Sequence, residues 1–164
     1  MTIVMNSPDA TGNVGAGLLA GALAGLTAAW AMNAAQAAFP VKPAGNADPA
    51  TVRAARKLNR FSTGKKLAQG RKRQAGTTVH YAFGAFLGAL YGAATERYPR
   101  AAAGWGLPFG LAITAIADEA IVPALGLGPA PWATPGKTHA YGAASHMVFG
   151  AVAEAVRKII RPLF

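Results

Sequence analysis

Asp118 and Glu119 stand side by side in ITAIADEAIVPALGLG (Ile113–Gly128), a run that is otherwise apolar and carries Pro123 four residues on. Only six acidic residues and three histidines occur in the 164-residue chain. Two adjacent carboxyls in an apolar run must be protonated, paired or hydrated, because a bare charge at membrane depth costs at least about 2.5–3.5 kcal/mol. Imidazole is the natural partner, since its proton moves near neutral pH and a His–carboxylate set can relay protons. His80 and His146 lie in similar apolar runs and are the expected partners, while His139 is expected at an interface. Adjacent helical positions point about 100° apart, so Asp118 and Glu119 cannot both face one partner. Asp118 is expected to look inward toward His146, and Glu119 to be the more hydrated of the two.

The other chemistries find less support. Ser145 and His146 are neighbours, so they occupy different helix faces and make no nucleophile–base pair. GAGLLAG near Gly15 has neither a preceding strand nor an acidic residue about 20 positions on, so it is no nucleotide fingerprint. The absence of cysteine removes disulfides and Cys–zinc sites. His with carboxylates has no diagnostic zinc spacing, and haem ligation by His80 and His146 would require depths that the sequence does not match. No metal, cofactor or catalytic residue is assigned, and the chain is not expected to be an enzyme.

The elements that must hold these residues follow from composition. Hydrophobic residues make up 52% of the chain and charged ones 13%, against about 25% charged in an average soluble domain. Four stretches are long enough for a bilayer core, which needs roughly 20 helical residues: about 14–39, 76–95, 101–127 and 138–160. Residues 1–12 lack Lys and Arg, so a cleaved signal is not expected. The expectation is one integral-membrane domain over residues 1–164: an all-α, four-helix transmembrane bundle with Gly/Ala packing faces.

Ten of the sixteen Lys and Arg residues fall between Lys42 and Arg73, within the loop 40–75. There, NADPATVRAARKLNRF places Val52, Ala55 and Leu58 at helical spacing among Arg53, Arg56, Lys57 and Arg60, behind an Asp48 cap and Pro49. This pattern suits a short interfacial helix on anionic headgroups of the lipid bilayer. A nucleic-acid partner is not expected, because only Phe61 is available to stack on a base. Excess basic charge puts this loop on the cytoplasmic face. Four spans then leave Arg157, Lys158 and Arg161 outside, a conflict that a re-entrant third segment would remove. Four full spans are expected, because the first long loop dominates orientation.

Steps of four along each span expose ladders: Gly17, Gly21, Gly25, Ala29 and Asn33; His80, Gly84, Gly88, Gly92 and Glu96; Gly106, Gly110, Thr114 and Asp118; Gly142, His146, Gly150 and Glu154. Small residues at this spacing let membrane helices approach closely, and the ladders carry most of the intramembrane polar residues. At 1.5 Å per residue His80 lies about 5 Å, and Asn33 about 8 Å, from the basic-loop ends of their spans. Asp118 and His146 lie about 12–14 Å from the loop joining spans three and four. These four are therefore expected in one half of the bundle, and Glu154 with Glu96 in the other, near Arg97 and Arg100. The candidate set is His80, Asp118, Glu119, His146, Asn33 and Glu154, acting as a proton or ion cluster or as interhelical polar contacts.

HYAFGAFLGALYG, ADEAIVPALGLGPAPWATP and HAYGAASHMVFGAVAEAVRK together resemble the YagU-like inner-membrane proteins, a family carrying an unknown-function label. The resemblance runs from about Val14 to Arg161, with the DE…P.LGL and SH..FG…E..R patterns most specific. It implies a small multi-pass protein of the bacterial inner membrane linked to acid tolerance, with His80, Asp118, Glu119, Pro123, His146 and Glu154 as its recurrent polar and proline positions. The expected role is proton or cation handling by the cluster. The alternative is an accessory subunit bound to other membrane proteins, in which the same residues only join helices.

Overall fold

A computed structural model of the chain describes residues 12–41 and 47–164. Lys42, the first of the ten clustered basic residues, lies outside them. The described residues form helices joined by short loops, with no strand among them. Helix α1 spans Val14–Ala38, opened by the Asn13 side chain accepting the Ala16 amide at 3.0 Å. A short α2, Ala50–Thr63, ends at Gly64 in the left-handed conformation. Helix α3 runs Lys72–Arg97, and a tight 3₁₀ segment, Pro99–Gly106, leads into the third rod. That rod has three registers: α4, Leu107–Ile113; a π-helical stretch, Thr114–Ile121; and a last turn, α5, Val122–Ala124. Helix α6, Gly136–Ile160, closes the fold.

The ladders pair two by two, each climbing one helix as its partner descends. A Cβ on Gly88 would overlap the carbonyl oxygen of Gly21, one on Gly92 that of Gly17, and one on Gly25 that of Gly84. On the other pair, Gly106 abuts the Gly150 carbonyl and Gly110 that of His146. Both pairs are thus antiparallel backbone-to-backbone contacts that only glycine allows. Gly106 has a second reason to be glycine: with Gly104 and Trp105 it forms three successive positive-φ residues that turn the chain into α4.

The large side chains point the other way. Every buried residue of α1 is Ala, Gly or Met, whereas Leu19, Leu23, Leu26 and Trp30 are exposed, the last by 62%. The central core is small, with Ala28, Ala29, Met32, Ile113, Ala117, Phe149 and Ala153. Leu87 packs against that core from α3. Two helical stretches, Val14–Ala38 and Pro99–Ala124, are long and apolar enough to cross a membrane.

One local expectation changes. Asp48 does not cap α2, whose cap position is Pro49 with no side-chain hydrogen bond. Its carboxylate instead joins Arg56 of α2 (3.1 Å) to Lys72 of α3 (3.0 Å). Leu58 does not share the buried face with Val52 and Ala55; it is exposed, and Phe61 is exposed by 93%. Val52 fits the notch left by Gly76, where a Cβ would crowd its side chain. Lys57 donates to the Leu125 carbonyl, so α2 is tied to both α3 and the end of the third rod.

Candidate functional site

The π-helical register carries Asp118 and Glu119. Pro123 supplies a cause: in an α-helix its ring would meet the Glu119 carbonyl and its missing N–H would leave that carbonyl unpaired. Widening the turn lets the Val122 amide reach Ala117 instead. Single-turn π segments of this kind recur at functional sites.

Asp118 Oδ2 lies 3.4 Å from His146 Nδ1. That nitrogen also lies 3.0 Å from the Gly142 carbonyl. A carbonyl only accepts, so Nδ1 carries a proton and Nε2 is left for another partner. His80 shows the opposite tautomer, with Nε2 donating to the Ala29 carbonyl at 3.3 Å. Asn33 donates to the Tyr81 hydroxyl at 3.5 Å.

Asn33, His80, Asp118 and His146 all line one cavity of about 630 Å³. It is enclosed by α1, α3, the third rod and α6, with Thr51, Val52 and Ala54 of α2 over it. Four polar residues from four different helices thus converge, although they lie up to 113 positions apart in the chain.

Glu119 takes a partner that the sequence reading did not assign to it. Its Oε1 lies 2.5 Å from His139 Nδ1. His139 Nε2 donates to the carbonyls of Pro131 (3.1 Å) and Thr134 (3.2 Å), fixing the loop before α6. Nε2 is therefore the protonated donor, and Nδ1 faces the Glu119 carboxyl. The Glu119 and Asp118 side chains are both half-buried, at 29% and 39% exposed, and Asp118 is the one that looks into the cavity. A sequence signal for His139 did exist. It stands seven residues before His146, two turns away on the same stripe of α6.

Glu154 lies apart from the cavity, at the far end of the bundle. It is fully buried, accepting from Tyr91 Oη (3.0 Å) and from Arg157 Nε and Nη2 (2.9 and 3.0 Å), with Lys158 Nζ at 3.3 Å. Glu96 is held nearby by Arg161, with Nη2 to Oε2 at 2.9 Å. Although Arg97 and Arg100 were expected near these acids, the ion pairs come from Arg157, Lys158 and Arg161, one and two turns beyond Glu154. The Arg161 guanidinium, first through its hydrogen bonds, holds the Glu96 carboxyl below the usual range. The Lys72 hydrogen bond does the same for Asp48. Among the described residues, no three His, Asp or Glu side chains converge in a metal-binding arrangement.

These features define an all-helical protein with two helices apolar enough to cross a membrane and a polar cluster at one half-open cavity. Over residues 52–155 the chain matches the family described as a protein of unknown function (DUF1440), and it belongs to that family. The matched stretch contains Asp118, Glu119 and all three histidines but leaves out α1, which supplies one wall of the cavity. No curated protein and no solved structure matches the chain.

Proposed function

We propose that the chain is a small multi-pass protein of the bacterial inner membrane, crossing four times, whose cavity cluster handles protons or cations. One observation carries this reading: Asn33, His80, Asp118 and His146 line the same cavity, each from a different helix. Ionisable groups at such depth are rare unless they serve a pathway. The membrane part is supported by the inverted packing of α1, with Ala and Gly inside and Leu and Trp outside. In water this arrangement would forfeit most of the available hydrophobic gain; in lipid, close backbone packing of small residues is what joins helices. The third rod runs antiparallel along α6 from Gly106–Gly150 to Gly110–His146, which supports a full crossing over a re-entrant one. The resemblance to YagU-like proteins supports the bacterial inner membrane and a link to acid tolerance. In this reading the chain is not an enzyme, needs no cofactor, and meets anionic headgroups through α2.

Reconstituted vesicles holding a pH-sensitive dye test it. Wild type should dissipate an imposed pH gradient and Asp118→Asn should not, because Asn keeps the shape without a titrating proton. Equal flux in both, with Asp118→Leu harmful only to folding, would reduce the cluster to interhelical packing. The accessory-subunit reading has its own support, since the broad Leu and Trp surface of α1 could seat a partner. The glycine ladders could not, being used up within the chain. Stoichiometric co-purifying chains in mild detergent would favour it.

A further inference from the structure

We infer that the 630 Å³ cavity binds an acyl-chain amphiphile with an anionic head. The volume falls within the roughly 300–1,000 Å³ of small-molecule sites, and the lining is sorted by depth along α3. Arg73 and Thr77 stand at the α2 end, His80 in the middle, and Phe83 and Leu87 below. Gln36 and Thr51 join the first zone, Asp118 and His146 the second, and Ile113 and Phe149 the third. A polar, cationic rim above an apolar floor is the profile of a head and a tail.

Length and charge agree. Arg73 to Leu87 covers roughly 21 Å of helix axis, against about 15 Å for the hydrocarbon of one leaflet. A chain with its head at Arg73 therefore passes the His80 level and ends among Phe83, Leu87, Ile113 and Phe149. Among the described residues Lys72 is occupied by Asp48, whereas Arg73 makes no ion pair. Phe83, Ile121 and Leu125 line the cavity and are also exposed, so it opens sideways between α3 and the third rod through an apolar mouth. The membrane-embedded reading makes lipid the source of the ligand, and proton handling is not required.

The test uses the full chain, purified in mild detergent, with native mass spectrometry after adding palmitate, phosphatidylglycerol or phosphatidylcholine. Wild type should retain one anionic acyl amphiphile per chain. Arg73→Gln should cut the preference for anionic over zwitterionic lipid about tenfold. Ile121→Trp, at an exposed position on the mouth, should abolish retention while leaving the unfolding temperature unchanged. Retention of palmitate alone would support a free fatty acid, and retention of phosphatidylglycerol would support one chain of a phospholipid. Equal retention of both phospholipids by wild type and variants, or none by wild type, overturns the site. Recovery of the chain in water without detergent, with palmitate still bound, would instead overturn the membrane reading and leave the site standing.

Discussion

Glu119 Oε1 lies 2.5 Å from His139 Nδ1, one residue from the Asp118–His146 pair at 3.4 Å. Consecutive carboxyls on the π segment thus reach histidines two turns apart on α6. The shorter contact also pins the loop, because His139 holds the Pro131 and Thr134 carbonyls with its other nitrogen. Glu119→Leu should therefore lower the unfolding temperature more than Asp118→Leu, and should speed amide exchange between residues 130 and 136. Equal exchange in wild type and Glu119→Leu would show that the pair does not fix the loop.

Glu154 is 0% exposed and holds Tyr91, Arg157 and Lys158 together. Glu154→Ala strands a buried guanidinium and should cost about 3–5 kcal/mol. Tyr91→Phe removes one hydrogen bond to a charged group and should cost about 1.5–3 kcal/mol. Chemical unfolding in detergent ranks the two, and a near-neutral Glu154→Ala would contradict the buried ion pair.

Gly88→Leu should separate α1 from α3, because its Cβ would overlap the Gly21 carbonyl. The expected loss is about 1–3 kcal/mol. Leu87, the neighbouring residue, is no neutral control: it packs on the core and lines the cavity. Phe86, which is exposed, is the better comparison, and Phe86→Ala should leave the unfolding temperature in detergent nearly unchanged.

Acid should loosen both ends of the bundle. Glu96 and Asp48 have folded pKa values below their ordinary ones, through Arg161 and Lys72 respectively. A depressed carboxylate contributes stability at neutral pH that fades as pH falls through the folded value. Unfolding temperature should therefore drop below about pH 4, and Glu96→Gln should flatten part of that slope. A profile identical to wild type would remove Glu96 from the account.

Single cysteines at Thr63 and Leu163 should label from opposite sides of the membrane, the first from the cytoplasm. The ten basic residues near α2 motivate this orientation. Labelling from the same side would mean that the third rod does not cross.

The helices were legible in the sequence because their limits are written in local chemistry. The largely apolar runs 14–39, 76–95 and 138–160 foreshadow α1, α3 and α6 within a few residues. The ladders foretold which faces approach, since a glycine every fourth residue has one use where backbones touch. Depth counting also grouped Asn33, His80, Asp118 and His146 apart from Glu154, because rise per residue is a property of the helix alone. The particular pairings were not legible. Glu119 meets His139, which the loop before α6 brings to the π-helical stretch that carries the carboxyl. Asp48 became a bridge because Lys72 arrived from another helix. Such choices depend on rotations about helix axes and on loops that bring distant residues together, which tertiary packing sets and no local spacing encodes.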